Sequence, residues 1–389
     1  MSRPARPAIA ALALAAAVLT AGCGSAAPAA SGPTAWAPPG GAPFLATTMA
    51  TGAGTWAVVV MGGSVATHDN FWQLFVRPAA SPDWKLVTPP GVADNGGLVL
   101  AAADQSLITA FRPSQGLTYT PLTLTRNGGQ AWSSANPLDA ALGNLPDALA
   151  AAPGTGNLLA LLTDGTAMLA GPGYASWTTL ATQHSLAASP PGHRCGLGTL
   201  TAAAFSPFGV PLLAGACARP GIAGIFAARD RTWQAAGPAL PPALARQAIT
   251  VLRLTRTGGR TAALLAAGTG PAASLLAAWS PDSGSHWTLS APFRLNGTDL
   301  TSASFGPDDT AAIVLSGGRG ATVTASGAPW RSLPALPPGT ATLAAAPAGR
   351  LDALAVQRTK LTVWQLAPGT TAWRTTQAIN VPVQFGSSG

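Results

Sequence analysis

Seven tryptophans recur along this chain at intervals of 43 to 56 residues, and each closes a repeat that opens with small or apolar residues. Runs at 98–103, 200–204 and 343–346 open the repeat, and a second apolar run follows each after a turn. Because the two features keep the same order seven times, the sequence predicts one repeated supersecondary unit. The tryptophans are Trp84, Trp132, Trp177, Trp233, Trp287, Trp330 and Trp373.

The repeat length and the composition together predict an all-β fold. A unit of about 40 to 50 residues matches the four strands of one β-propeller blade. The chain has 45 glycines, 36 prolines and only 9% charged residues, which suits short strands and turns better than long helices. We therefore predict a seven-bladed β-propeller of four-stranded antiparallel blades, closed by a strand from 379–385 or from the segment near Trp36. A pair of β-sandwiches is the alternative, but it does not predict seven tryptophans in phase.

Two octapeptides that end in a repeat tryptophan share a polar turn, SPDSGSHW at 280–287 and TRNGGQAW at 125–132. Their short polar side chains can bond backbone N–H groups within the turn, and their glycines can take positive φ. Both resemble the Asp box, S/T-x-D/N-x-G-x-x-W, of bacterial neuraminidase repeats. The resemblance implies a structural hairpin between the third and fourth strands of a blade. The matching positions are Ser280, Asp282, Gly284, Trp287, Thr125, Asn127, Gly129 and Trp132.

The same resemblance suggests two functions. Neuraminidases use a Tyr nucleophile activated by Glu, an Asp acid/base and three Arg, whereas all thirteen acidic residues here are Asp and the tyrosines are Tyr119 and Tyr174. The Tyr–Glu couple is therefore missing and we assign no catalytic residue, although a divergent sialidase-like hydrolase with an axial site stays the alternative function. Similar repeats occur in photosystem II stability and assembly factors, which are not enzymes, and this implies a binding or scaffold role.

The N-terminus predicts export. Arg3 and Arg6 precede an apolar run at 8–21, which is shorter than the roughly 20 residues that span a bilayer, so 1–22 is predicted to be a signal peptide. Residues 19–23, LTAGC, resemble a bacterial lipobox with Thr20 in the usual place of Leu, and this implies lipidation of Cys23. Residues 23–42 predict a flexible tether and 43–389 the propeller domain. We expect a lipid anchor on the extracytoplasmic side of the cell membrane, or secretion if Cys23 is not lipidated.

Two further cysteines, Cys195 and Cys217, form an even pair. In an oxidising compartment such a pair predicts a disulfide, which contributes about 3 kcal/mol in the chain-entropy model. A metal site is the alternative, because His193 lies two residues before Cys195. No third or fourth ligand follows at a recognisable spacing, so we predict neither a metal nor a cofactor.

The formal net charge of +8 is spread along the chain without a Lys/Arg run, and therefore predicts no nucleic-acid partner. We expect a monomer that binds an envelope protein or a glycan through its loops. The repeat places one set of polar residues on the face formed by the inter-blade connections and the turns between second and third strands. These candidates for ligand contact are His68, Asp69, Arg112, Asp164, His193, Arg194, Arg219 and Arg319, with Arg358 and Lys360 beside them.

Overall fold

The computed structural model describes residues 46–63, 70–89, 97–103, 106–111, 122–134, 145–269, 272–325, 327–346 and 349–382, and the structural statements below concern these residues. The predicted signal peptide, the tether with Cys23, and Trp36 lie outside them. Strands dominate the described part of the chain. None of its helices is long and apolar enough to cross a membrane.

Consecutive strands pair in antiparallel groups of four, which we number in chain order. Group 1 contains β1 (Ala46–Thr51), β2 (Gly54–Gly62), β3 (Asn70–Pro78) and β4 (Lys85–Leu86). Group 2 contains β5 (Leu98–Ala103), β6 (Ser106–Phe111), β7 (Leu122–Thr125) and β8 (Ser133–Ser134). Group 3 contains β9 (Ala148–Ala151), β10 (Leu158–Leu161), β11 (Thr166–Ala170) and β12 (Trp177–Thr182).

The second half of the chain continues the pattern. Group 4 contains β13 (Leu197–Phe205), β14 (Pro211–Cys217), β15 (Gly224–Arg229) and β16 (Thr232–Ala235). Group 5 contains β17 (Ile249–Thr257), β18 (Arg260–Ala267), β19 (Ser274–Ser280) and β20 (Thr288–Leu289), and β21 (Phe293–Arg294) also pairs with β19. Group 6 contains β22 (Leu300–Phe305), β23 (Thr310–Leu315), β24 (Arg319–Thr324) and β25 (Arg331–Ser332). Group 7 contains β26 (Thr340–Ala346), β27 (Arg350–Gln357), β28 (Lys360–Leu366) and β29 (Arg374–Asn380).

Bridging pairs join some groups into larger sheets. Met49 of β1 pairs in parallel with Phe305 of β22, which unites groups 1 and 6 into one eight-stranded sheet. Ala216 and Cys217 at the end of β14 pair with the start of β17, which unites groups 4 and 5. The parallel pairing shows that the first strands of groups 1 and 6 run in the same direction beside each other.

Most second and third strands read as continuous apolar runs because both faces of each group are covered. All six residues of β23 and all seven of β19 are buried. A strand buried on both faces loses the alternation of apolar and polar residues that marks a half-exposed strand. The composition of these strands therefore follows from the stacking of the groups.

Each group shares a cluster of buried hydrophobic side chains with the next, and group 7 shares one with group 1. The core thus consists of thin layers between sheets. Representative members of the shared clusters are Leu74 and Leu100 (groups 1 and 2), Ala110 and Leu158 (2 and 3), Leu161 and Phe205 (3 and 4), Ala214 and Val251 (4 and 5), Leu275 and Ile313 (5 and 6), Val314 and Leu343 (6 and 7), and Phe75 and Leu354 (1 and 7).

The contact between the first and last groups contains a buried ion pair. Arg77 of β3 pairs with Asp352 of β27, and their side chains are only 4% and 2% exposed. Trp84 Nε1–H donates to Asp352 Oδ2 over 3.0 Å, and the Arg77 guanidinium lies 5.4 Å from the centroid of the Trp84 ring. Burial lowers the pKa of Arg77, and the Asp352 carboxylate opposes this shift.

A side chain of the last strand also forms hydrogen bonds at this contact between groups 1 and 7. Gln377 of β29 accepts from the Trp84 N–H and donates to the Trp84 carbonyl, both over 2.8 Å. Strand β29 is therefore the fourth strand of group 7, and within the described residues side chains rather than an added strand link it to group 1. The sequence analysis considers 379–385 as a source of a closing strand; residues 379 and 380 belong to β29, and 383–385 lie outside the described part.

Two short helices interrupt the strand pattern between groups 3 and 4, and the sequence did not predict them. They are α1 (Gln183–Ala188) and α2 (Pro190–Cys195). Thr182 caps α1 by accepting from the Ser185 N–H over 3.1 Å. Ser189 ends α1 and caps α2, which begins at a proline as helix N-termini favour. This helical insertion, residues 183–195, lies on the connection into β13.

Candidate functional site

The turn at 280–287 is held by side-chain to backbone hydrogen bonds. Ser280 Oγ accepts from the Gly284 N–H over 2.9 Å, and Asp282 Oδ1 accepts from the His286 N–H over 2.8 Å. The hydrogen bonds from His286 to Asp282 hold the pKa of this carboxyl down at about 2. These bonds use the side chains that the sequence marked, and they satisfy donors of the turn itself.

The turn at 125–132 repeats the same bonds at the same offsets. Thr125 Oγ1 accepts from the Gly129 N–H over 3.0 Å, and Asn127 Oδ1 accepts from the Ala131 N–H over 2.9 Å. Two turns with different residues therefore have one hydrogen-bond pattern. Both lie between the third and fourth strands of their groups.

The glycine and tryptophan of each turn also contact the preceding group. A Cβ added at Gly284, which has φ 92°, would lie 2.5 Å from the Ala236 carbonyl oxygen. That oxygen accepts from Trp287 Nε1–H over 2.8 Å. Ala236 directly follows the last strand of group 4, so the turn ties group 5 to the outer edge of group 4.

Group 2 contacts group 1 in the same way. A Cβ added at Gly129, at φ 83°, would lie 2.6 Å from Val87 Cβ, and Trp132 Nε1–H donates to the Val87 carbonyl over 3.1 Å. Val87 directly follows β4. The glycine of the motif therefore serves close approach between groups as well as the turn conformation.

All seven repeat tryptophans occupy equivalent positions relative to the cores. Each packs against the cluster that its own group shares with the preceding group, and group 1 counts group 7 as its predecessor. The pairs of tryptophan and cluster are Trp84 (groups 7 and 1), Trp132 (1 and 2), Trp177 (2 and 3), Trp233 (3 and 4), Trp287 (4 and 5), Trp330 (5 and 6) and Trp373 (6 and 7).

The second-to-third turns and the connections between groups lie at the same ends of the strands. We call the surface at these ends the loop face. Because the strands of a group are antiparallel, the first-to-second and third-to-fourth turns lie at the other ends, which we call the box face. Asp164, His193, Arg194 and Arg219 lie at the loop face and are exposed. His68, Asp69 and Arg112 lie outside the described residues.

Backbone contacts gather loops of groups 3 and 4 around the helical insertion. The Gln183 N–H at the start of α1 donates to the Gly165 carbonyl over 2.9 Å, which places the turn with Asp164 beside it. The Arg219 N–H donates to the Cys195 carbonyl over 3.0 Å. The structure therefore brings the segments that carry Asp164, His193, Arg194 and Arg219 onto one surface.

A disulfide joins Cys195 of α2 to Cys217 at the end of β14, with 5.1 Å between the Cα atoms. A Cβ added at Gly224 would lie 2.7 Å from the Cys217 sulfur, so β15 passes directly beside the bond. The bond fixes the helical insertion to the β14–β15 turn.

The surface around the disulfide is basic. No acidic residue occurs in the sequence between Asp164 and Asp230. The Gly221 N–H donates to the Gln247 carbonyl over 2.8 Å, which brings the exposed Arg246 near this surface. The sequence analysis did not mark Arg246 as a candidate for ligand contact.

Arg319 does not join this surface. Its guanidinium donates to the Leu295 carbonyl over 3.3 Å and to Thr298 Oγ1 over 2.6 Å. It thus braces the connection between groups 5 and 6. Arg358 and Lys360 lie at the β27–β28 turn of group 7.

A cavity of about 580 Å³ lies among the first strands of groups 1 to 5. Its partly exposed apolar wall includes Met49, Ala102, Ala150 and Leu252. The small residues that open the repeats of groups 1 to 5 thus line a shared space, which we call the axial cavity.

The described lining of the axial cavity carries three charged side chains, Asp147, Arg253 and Arg256. Burial raises the pKa of Asp147 to about 6 and lowers the pKa of Arg253 to about 10. Neither residue was marked by the sequence analysis. An arginine inside the otherwise apolar opening run of group 5 was the signal that could have found one of them.

The chemistry of the described sites is simple. The described part of the chain contains no group of three or more His, Cys or acidic residues placed to hold a metal ion. Among the described residues that line the axial cavity, Asp147 is the one carboxylate. Tyr174 lies in a third-to-fourth turn on the box face, and Tyr119 falls outside the described residues.

Comparison by sequence finds no matching protein-family model and no matching curated protein. Comparison by structure finds a protein from Lactobacillus plantarum with a TM-score of 0.53 at 11% identity, covering 84% of this chain and 96% of that one. YCF48 from Cyanidioschyzon merolae gives 0.51 at 11% identity, covering 86% and 99%. A putative 6-phosphogluconolactonase from Bacteroides uniformis gives 0.50 at 15% identity, covering 83% and 96%. These likenesses concern the fold, which is nearly all β and propeller-like.

Proposed function

We propose that this chain is a seven-bladed β-propeller lipoprotein, anchored on the extracytoplasmic side of the membrane, that binds an anionic protein or glycan through its loop face. The seven four-stranded groups are its blades, and the turns at 125–132 and 280–287 are its Asp boxes. In support, consecutive groups share cores around a full circuit, and the repeat tryptophans take equivalent positions in them.

The basic surface around the disulfide carries the proposal. Arg194 and Arg219 project from segments that a disulfide and a backbone hydrogen bond hold together. A fixed cationic surface attracts anionic partners over about 10 Å at moderate salt and raises their association rate. Holding the loops in place before binding also lowers the entropy cost of association.

A binding role fits the axial cavity better than hydrolysis. Glycosidases of the usual kind place two carboxylates on either side of the scissile bond. The described lining offers Asp147 alone. Sialidases use a tyrosine nucleophile instead, but Tyr174 lies on the box face and is not part of the described cavity lining. We therefore propose a binding or scaffold protein rather than the sialidase-like alternative.

Photo-crosslinking in intact cells tests the binding face. A benzophenone amino acid in place of Ala218, which is exposed beside Arg219 on the loop face, is expected to yield a discrete crosslinked species. The matched control replaces Gln130, which is exposed on the box face. Crosslinks from position 130 alone, or from neither position, would contradict the proposal.

Charge reversal tests the chemistry of that face. With the crosslinker at position 218, the further change Arg194→Glu/Arg219→Glu is expected to abolish the crosslinked species. Without these reversals, moderate salt is expected to lower the crosslinking yield. Arg126→Glu, on the box face, is the control with a matched charge change and should leave it intact. Equal effects of both reversals would show that overall charge rather than this surface attracts the partner.

Cell fractionation tests the anchor. The Cys23→Ser variant is expected to move from the membrane fraction to the soluble extracytoplasmic fraction, because no acyl chain could be attached. Retention of this variant in membranes at the wild-type level would contradict lipidation of Cys23.

A further inference from the structure

The axial cavity places opposite charges on different walls. Asp147 directly precedes β9 of group 3, and its N–H donates to the Leu161 carbonyl over 2.8 Å, which fixes its backbone. Arg253 lies in β17 of group 5, next to a register shift between Val251 and Arg253. The first strand of group 4 runs between these two groups. The carboxylate and the guanidinium therefore face one space from two sides.

The two charged groups do not neutralise each other. No ion pair joins Asp147 and Arg253, and neither contributes to the pKa shift of the other; burial is the cause in both cases. Within the described residues, the Asp147 carboxylate has no hydrogen-bond or ion-pair partner. An arginine carries five N–H donors, so Arg253 can contact the protein and still bind a ligand.

Apart from these two charged residues and Arg256, which also lies in β17, the described side chains of the wall are apolar or carry hydroxyl groups. Met49, Ala150 and Leu252 line it on three sides, and Thr201, whose Oγ1 donates to the Val251 carbonyl over 2.5 Å, lies on the group 4 strand between the charges. The volume of the axial cavity, about 580 Å³, falls within the range of roughly 300 to 1,000 Å³ typical of small-molecule sites. Mostly apolar walls with a few convergent polar groups are the usual composition of such sites.

We propose that the axial cavity binds a small zwitterion with an apolar body, such as an amino acid or a short peptide, with its anionic group on Arg253 and its cationic group on Asp147. The apolar body packs against Met49 and Leu252. This site is separate from the loop face, and the proposal does not depend on partner binding there.

Ligand-observed saturation-transfer NMR with the purified full chain tests this proposal. The probes are leucine and leucyl-leucine, which carry both charges at different separations, leucinamide with the cation alone, and N-acetylleucine with the anion alone. Saturation transfer to at least one zwitterion is expected, together with weaker binding of both single-charge probes. Absence of transfer to both zwitterions at millimolar concentration would overturn the proposal.

Cavity variants assign the two ends of the ligand. Arg253→Gln is expected to lower the affinity for the zwitterion and for N-acetylleucine about tenfold or more, since one charge-assisted contact is lost. The affinity for leucinamide should stay nearly unchanged. Asp147→Asn is expected to show the reverse preference between the two single-charge probes. Equal binding by the wild type and both variants would overturn the proposal.

Controls separate the site from general charge and folding effects. Arg294→Gln and Asp299→Asn make the same chemical changes at exposed positions in or next to group 5, away from the cavity, and should bind as the wild type does. If Arg253→Gln does not fold, Arg253→Lys keeps the charge and is expected to bind the zwitterion more weakly than the wild type. Binding by the lysine variant at full strength with every probe would contradict a role for the guanidinium.

Discussion

At the scale of single residues, glycine has two separable roles in the Asp-box-like turns. The sequence indicated that Gly129 and Gly284 permit positive φ. The structure adds that each backbone lies against the outer edge of the preceding group, at Val87 and Ala236. The second role depends on a neighbour more than 40 residues away and was invisible in the octapeptide.

Two adjacent glycines separate these roles experimentally. Gly128 and Gly129 have φ of 70° and 83°, but a Cβ at Gly128 meets nothing within 4 Å. Gly128→Ala is expected to cost about 1 kcal/mol of unfolding free energy for its left-handed backbone. Gly129→Ala is expected to cost about 1–3 kcal/mol more, because its Cβ overlaps Val87. Denaturant unfolding measures both, and equal losses would contradict the close approach.

Asp147 makes a pH-dependent contribution to stability. Burial raises its pKa to about 6, so between about pH 4 and 6 the folded chain binds more protons than the unfolded chain. Stability from this group is therefore present below about pH 4 and is lost as the pH rises through about 6.

Replacement of Asp147 by asparagine removes that titration. Relative to the wild type, Asp147→Asn is expected to gain unfolding free energy from about pH 4 to about pH 7. Denaturant unfolding of both proteins at the two pH values measures the difference. A difference that stays constant with pH would show that Asp147 titrates normally.

At the scale of elements, the helical insertion is the main departure from the repeat. Its helices have six residues each and depend on caps and packing, since isolated helices of this length are unstable in water. Leu186 and Cys195 are buried in the cluster shared by groups 3 and 4, and the disulfide holds the end of α2.

Removal of the disulfide tests that element. Cys195→Ala/Cys217→Ala is expected to lower the unfolding free energy by about 3 kcal/mol, since the bond closes a loop of 22 residues. Proteolysis within 183–195 is expected to become faster. Reductant should destabilise the wild type but not the variant; if it lowers the Tm of both equally, the loss does not come from this bond.

At the scale of the whole molecule, side chains link the first and last groups. Asp352 accepts hydrogen bonds from both Arg77 and Trp84 in a buried site. Loss of its carboxylate would therefore leave the buried Arg77 guanidinium without its charged partner. Each group has two apolar faces, and an open circuit would expose one at each end. The ion pair therefore lies at the contact between the first and last groups that completes the circuit.

Asp352→Asn is expected to destabilise the protein by about 3–5 kcal/mol, the usual cost of breaking a buried pair by removing one partner. Asp299→Asn, at an exposed position, should change the unfolding free energy by no more than about 0.5 kcal/mol. Thermal and denaturant unfolding measure both variants. Similar values for the two would contradict a structural role for the pair.

The sequence by itself determined the repeat, its strand order and its turns, because these depend on local pattern: small first strands, apolar second strands, and short polar side chains that bond their own turn. It also marked the positions of the seven tryptophans and the two cysteines. Only the tertiary structure decided which groups meet, and with them the ion pair of Arg77 with Asp352, the basic surface at Arg194 and Arg219, and the placement of Asp147 and Arg253 around one cavity. These residues lie far apart in the chain, and their charges acquire meaning only when stacking removes the water around them and sets the distance between them.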